Sequence, residues 1–149
     1  MTGTFQDAVG RNWRLAITVA DLPRVRAAGF DLSRVYRDEA GFAALLDLDP
    51  ELLGRVLWSL CESQALAASV TPEEFAAGFD GPTLTQAVDA LADAVLDFRY
   101  RPAIARQLKA RRAELTSELE TLATRAMTTG ISNANAGGSP ASLASTPAP

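Results

Sequence analysis

Between Asp49 and Ser69 the large apolar residues recur at steps of three and four. Leu53, Val56, Leu57, Leu60 and Cys61 form a stripe that Leu52 and Trp58 widen, while Arg55, Ser59, Glu62 and Ser63 lie across from it. This is the period of an α-helix. Asp49 is placed to cap the first backbone N–H groups, Pro50 suits the first helical position, and Glu51 lies at the positive end of the dipole. At roughly 1.5–3 kcal/mol per buried large apolar side chain, the covered stripe contributes on the order of 10 kcal/mol. The spacing therefore predicts a core helix over which the rest of the chain packs.

Upstream the period changes to two. Trp13, Leu15, Ile17 and Val19 alternate with Arg14, Ala16 and Thr18, and Gly10 beside Asn12 supplies a turn after the segment that begins at Phe5. The pattern predicts a small β-hairpin with one apolar face. Two strands alone are marginal in water, so that face must meet the helices or another chain, and the hairpin is expected to be a lid or an edge. Asp21 is placed to cap a short helix with Leu22 and Val25 facing inward, ended by Gly29 in a left-handed C-cap. Phe30 and Leu32 fall in a connection, and a further short helix is expected from about Glu39 to Leu48.

Downstream, Thr71-Pro72-Glu73-Glu74 has the spacing of a capping box, which accounts for both glutamates without an acid pair. Asp80-Gly81-Pro82 turns the chain. From Pro82 to Tyr100 a strong helix carries Leu84, Val88, Leu91, Val95 and Phe98 inward, with Asp89, Asp93 and Asp97 on the opposite face. Three aspartates in one helical row without converging ligands make a poor cation site. After Pro102 a last helix is expected from about Ala103 to Met127, with a thinner stripe of Ile104, Leu108, Leu115, Leu119 and Leu122 that Arg112 interrupts. It would be roughly 38 Å long, so part of it is expected to project, and a projecting leucine row needs a partner: a second copy, a target helix or its own body. The stretch from Gly130, rich in Gly, Ser, Ala, Asn and Pro, is expected to be a disordered tail.

Composition adds three constraints. A chain of 149 residues, 48% of them hydrophobic, can bury one ordinary core. No apolar run reaches the roughly 20 residues of a membrane span, and the N-terminus lacks a signal pattern, so a protein of the cytoplasm is expected, with no membrane partner. The single cysteine, Cys61, cannot form an internal disulfide and falls in the apolar stripe, which predicts a buried, inert thiol. The net charge of −4 is unevenly spread. Residues 1–97 carry seven Arg and fifteen Asp or Glu (7 − 15 = −8), and residues 98–149 carry seven Arg or Lys and three Glu (7 − 3 = +4). Arg99, Arg101, Arg106, Lys109, Arg111 and Arg112 follow one another with no acid between them. Such a run meets an anionic partner, folds back on the acidic body or lies in water.

The chain contains no histidine, no cysteine-rich metal spacing, no Gly-rich phosphate loop followed by Lys and no nucleophile elbow. No enzymatic activity and no cofactor are expected; the pattern is that of a helical binding module.

Three strings read together resemble a family. They are Phe5-x-Asp7 with Gly10-Arg11-x-Trp13-x-Leu15-x-Ile17-Thr18-Val19 and Val25-Arg26; Leu57-Trp58-x-Leu60-Cys61-x-x-Gln64-Ala65; and Val70-Thr71-Pro72-Glu73-Glu74-Phe75. In their order and spacing they resemble the small tail assembly chaperones of long-tailed bacteriophages, over about residues 5–100, with the basic helix and the tail outside the match. The resemblance implies a protein of the bacterial host cytoplasm during virion assembly. Such a protein associates with the tape measure protein, keeps its long hydrophobic helices soluble, helps recruit tail tube protein and is absent from the mature virion.

The expected architecture is mainly α (α+β): a β-hairpin plus helical core over residues 1–100, a long basic and amphipathic helix over 101–129, and a tail over 130–149. Leu108, Leu115, Leu119 and Leu122, with Arg111 and Arg112 beside them and Trp13 and Leu15 of the hairpin, are the candidate partner-binding residues. Two other classes are compatible with the pattern. One is a nucleic-acid-binding or regulatory protein using residues 99–112, against which the acidic body and the lack of a base-stacking platform argue. The other is a minor structural protein of the tail.

Overall fold

The computed structural model describes residues 3–135. The described residues fall into two units, divided between Lys109 and Ala110. The first holds a two-stranded antiparallel hairpin, β1 (Gly3–Gln6) and β2 (Asn12–Leu15), followed by α1 (Asp21–Ala28), α2 (Ser33–Arg37), α3 (Glu39–Leu46), α4 (Pro50–Ala67), α5 (Pro72–Ala77) and α6 (Gly81–Arg99). The last helix, α7 (Pro102–Asn135), begins in the first unit and continues through the second. The fold is thus mainly helical with an N-terminal hairpin, as the periodicities predict.

Helix α4 is the axis of the first unit. Asp49 accepts from the Leu52 N–H at 3.0 Å, and Leu53, Val56, Leu57, Leu60, Cys61 and Ala65 are buried. Ser59, expected on the outer side, is buried as well, its hydroxyl satisfied by donating to the Val56 carbonyl at 2.7 Å. Burial pushes the Cys61 thiol up to about 12, so it stays protonated and unreactive at neutral pH. Helix α1 packs along α4, and the hairpin lies across α6 and α4.

The hairpin pairs Gly3 with Leu15, Phe5 with Trp13 and Gln6 with Asn12. Its Gly3 end lies against Ala90 of α6, while Phe5 and Trp13 meet the rings of Phe79 and Phe75. The approach is so close that a Cβ on Gly3 would fall 2.0 Å from the Ala90 carbonyl oxygen; glycine is what lets the strand lie down there. The outer edge of β2 is closed by a side chain. The Gln64 amide donates to the Arg14 carbonyl at 2.7 Å and accepts from the Arg14 N–H at 3.1 Å, acting as a one-residue third strand. Replacing Gln64 by Leu removes both bonds while leaving the Arg14 groups open to water. A loss of about 1–2 kcal/mol is expected, read as a lower urea midpoint with an unchanged slope.

Several local expectations are corrected. Strand β2 stops at Leu15, and Val19 is exposed instead of continuing the inner face. Asp21 does not cap α1. Ala20 is the N-cap residue, and the Asp21 carboxylate instead accepts from the Thr18 N–H and hydroxyl at 2.8 and 2.7 Å, fixing the turn that enters the helix. Gly29 does end α1 with φ of 115°. The connection after it contains α2, too short to show a period, which buries Val35 while Leu32 just before it is also buried. Asp38 caps α3, which ends at Leu46. Asp80 caps α6 by accepting from the Thr83 N–H at 2.9 Å and the Thr83 hydroxyl at 2.6 Å. These hydrogen bonds hold the Asp80 carboxyl below its ordinary value.

In the second unit α7 runs to Asn135, past Thr129, where the composition marked the start of a tail. A helix already nucleated extends through Gly, Ser and Asn at only a small cost per residue, so their poor propensity does not stop it at once. The expected tail beyond residue 135 lies outside the described residues. Thr116, Thr121, Thr124, Thr128 and Thr129 each donate a hydroxyl to the carbonyl one turn back.

Candidate partner-binding surfaces

The residues singled out from sequence divide into two groups. Leu108, Leu115, Leu119 and Leu122 are exposed on α7, at 37%, 46%, 66% and 57% of their surface. Successive steps of seven, four and three residues put them on one side of the helix. Arg111 lies beside them, exposed, with Glu114 3.8 Å away, and Arg112 follows, its carbonyl accepting from Thr116 at 3.0 Å. Trp13 and Leu15 belong elsewhere. They are core residues, 3% and 0% exposed, and cannot meet a partner in the folded protein. Period-two alternation identified the apolar face correctly, but the protein's own helices cover it.

The basic run is partly committed within the first unit. Lys109 pairs with Asp97 at 2.6 Å, with both side chains largely buried, and the Arg99 guanidinium lies over the Tyr100 ring at 4.9 Å. The Asp97 pair neutralises Lys109, one of the six cations of the run. Asp97, one of the three aspartates in a row, is likewise engaged. Among the described residues no group of three His, Cys, Asp or Glu side chains converges on one point, and no helix is long and apolar enough to cross a membrane.

Two features escaped the sequence. The first is a buried carboxylate. Asp7, 5% exposed, accepts from the Val9 and Arg11 N–H groups at 3.1 and 2.9 Å, from Arg11 Nε at 2.7 Å and from the Trp13 indole at 2.9 Å. Arg11 in turn donates to the Glu74 carbonyl at 2.9 Å, and the Ala8 N–H donates to Gly78 at 2.8 Å, so the hairpin loop is riveted to α5. Burial alone would raise the Asp7 pKa. The indole, the Arg11 N–H and the Arg11 guanidinium outweigh it, and the net effect is a lowered value. The centre is a structural anchor, fully occupied by its own chain.

The second is an apolar groove of about 660 Å³ between the end of α1, the outer side of α4, α5 and the start of α6. Gly54 and Trp58 lie one turn apart along α4, Phe75 and Ala76 come from α5, and Phe79 and Leu84 close the far wall. Trp58 meets Phe75 edge to face at 5.4 Å, and Phe75 meets Phe79 at 5.1 Å, so the aromatic wall is held by its own packing. A Cβ on Gly54 would touch nothing within 4 Å. Glycine inside a helix costs about 1 kcal/mol relative to alanine, and among the described residues no close neighbour explains it. The only sequence signal was a glycine inside an otherwise regular helical pattern.

Comparison with protein-family models, with curated proteins and with solved structures finds no match.

Proposed function

We propose that this protein is a bacteriophage tail assembly chaperone that binds the tape measure protein in the host cytoplasm, keeps its long helices soluble, and leaves before the virion is complete. The observation that carries the reading is the row of exposed leucines on α7, Leu108, Leu115, Leu119 and Leu122. A single exposed leucine needs no explanation. Four on one side of a helix are an apolar seam of the kind that pairs with another amphipathic helix. A chaperone for such helices needs apolar docking surface and no catalytic centre, and the three strings that resemble the family supply the identity of the client.

The test is co-expression with a tape measure protein of a long-tailed phage. The wild-type chain is expected to raise the soluble fraction of the client several-fold. Leu115→Glu with Leu119→Glu is expected to abolish that gain while shifting the chain's own stability by less than about 0.5 kcal/mol, as for other exposed substitutions. A client equally soluble with wild type, with the double variant and with no chaperone would overturn the reading.

A further inference from the structure

We propose that the groove across α4 is a docking site for an amphipathic α-helix of a partner protein, one with aliphatic anchors on one side and Lys or Arg flanking them. The proposal rests on the chaperone reading only for the source of that helix; the groove itself is argued from its own residues.

Its floor is built for close approach. Gly54 faces the groove with open space where a side chain would stand, and small residues from two other elements, Ala28 at the end of α1 and Ala76 on α5, share the lining with it. A cavity of about 660 Å³ is the size that receives several large side chains. Glycine and alanine on a helix face are what let a second helix settle at short range, and a glycine in mid-helix is a standing loss of helix stability unless something comes close to it. The walls are apolar and preformed: Trp58, Phe75 and Phe79 are fixed against one another by edge-to-face contacts. Aliphatic anchors at positions i, i+3 or i+4, and i+7 of an incoming helix would meet the half-buried rings of Trp58 and Phe79, held in place from behind by the buried Phe75, with little ordering cost.

The surroundings choose the sign of its flanks. Asp49 and Glu51 open α4, Glu73 and Glu74 open α5, and Asp80 precedes α6, all in the segments that supply the lining. Some of that charge acts locally. Asp49 and Asp80 cap helices, and Glu74 accepts from the Thr71 N–H at 2.9 Å. Glu51 pairs with Arg55, the basic residue of the lining, at 2.8 Å. The sum around the groove remains acidic, which favours a basic flank and repels an acidic one. A helix with glutamates beside its leucines would meet like charge on arrival.

The experiment uses the full chain and fluorescein-labelled helical peptides of about 18 residues, with leucine anchors and either Lys or Glu flanks, plus a scramble of the Lys peptide; anisotropy gives the affinities. The Lys peptide is expected to bind the wild-type chain, and the Glu peptide and the scramble at least about tenfold more weakly. Gly54→Leu fills the groove from its floor and is expected to weaken the Lys peptide by at least about tenfold, with circular dichroism and thermal midpoint at or above wild type. Ala76→Leu, from the opposite wall, is expected to do the same and keeps the test open if the first variant misfolds. Equal binding by wild type and the two variants, or equal binding of the Lys and Glu peptides, overturns the proposal. So does peptide-free self-association in sedimentation that Gly54→Leu abolishes, since the occupant would then be a second copy. A small apolar molecule carried through purification, seen by native mass spectrometry and lost in Gly54→Leu, overturns it too. Peptide binding lost in Gly54→Leu upholds the groove even if the tape measure protein gains no solubility, which would fail the chaperone reading alone.

Discussion

Replacing Phe75 by alanine is expected to destabilise the first unit by about 3–5 kcal/mol, the range for a buried aromatic truncated in a packed core. Phe75 is 1% exposed, and its ring meets three others: Trp13 at 4.9 Å, Trp58 at 5.4 Å and Phe79 at 5.1 Å. These rings come from β2, α4 and the turn after α5, so one side chain joins the hairpin, the central helix and the lead into α6. The hairpin cannot easily collapse into the space, because Gly3 already lies against the Ala90 backbone. Against a total of about 5–15 kcal/mol for an ordinary domain, the loss is a large part of the whole. Phe75→Leu restores most of the volume and is expected to cost less than half as much. Urea unfolding of the three proteins checks both, and a loss below about 1.5 kcal/mol for the alanine variant would remove Phe75 from its place as keystone.

Phe75 also marks where the sequence was readable and where it was not. The start of its helix was legible, since the capping-box spacing of Thr71 and Glu74 fixes the beginning of α5. The stripe of α4, the apolar face of α6 and the existence of the hairpin were legible for the same reason: long periodic segments with strong start signals define which side is covered. What covers each side is a separate question that periodicity does not address. Trp13 and Leu15 looked like a surface in need of a partner because two strands cannot bury their own face, yet the protein's own helices cover it: Trp13 meets the Phe75 ring of α5 at 4.9 Å, and β2 packs on α4 and α6. Helix α2, of five residues, is shorter than the window in which a period can be seen.

The groove was illegible for a further reason. Pro50 and Pro72 are fully explained, taken singly, as helix-start residues, and Phe79 and Leu84 as inward-facing apolar positions. Only their convergence at the starts of three helices makes a concavity, and convergence is a property of packing, not of any one segment. Gly54 is a local conflict with the rest of its helical segment, but a glycine alone does not say that a concavity faces it. The leucines of α7, by contrast, were legible as a seam because they lie on one helix, and their exposure follows from the thinness of that stripe.

Asp7→Ala is expected to cost about 2–4 kcal/mol, since it leaves the Trp13 indole N–H, in a residue 3% exposed, without its acceptor. The Arg11 side chain, 27% exposed, can turn to water and softens the loss. Asp7→Asn keeps one acceptor oxygen and is expected to cost roughly half as much, but it separates hydrogen bonding from charge and so exposes the pH dependence. The Asp7 carboxyl has a lowered pKa in the folded protein. In the window between its folded value and the unfolded value near 3.9, the unfolded chain binds more protons than the native one, and stability rises with pH. The contribution of the carboxylate is therefore fully present above about pH 4 and is lost as pH falls through the folded value. Wild type and Asp7→Asn should differ most near neutrality and converge in acid, with urea midpoints measured from about pH 2 to pH 7. Asp31 and Asp80, whose carboxyls are also held below their ordinary values, remain in the variant, so a residual acid slope is expected rather than a flat line. Parallel curves across the whole range would mean that the Asp7 charge adds nothing beyond a neutral acceptor, and the knot between hairpin loop and α5 would then be a matter of shape alone.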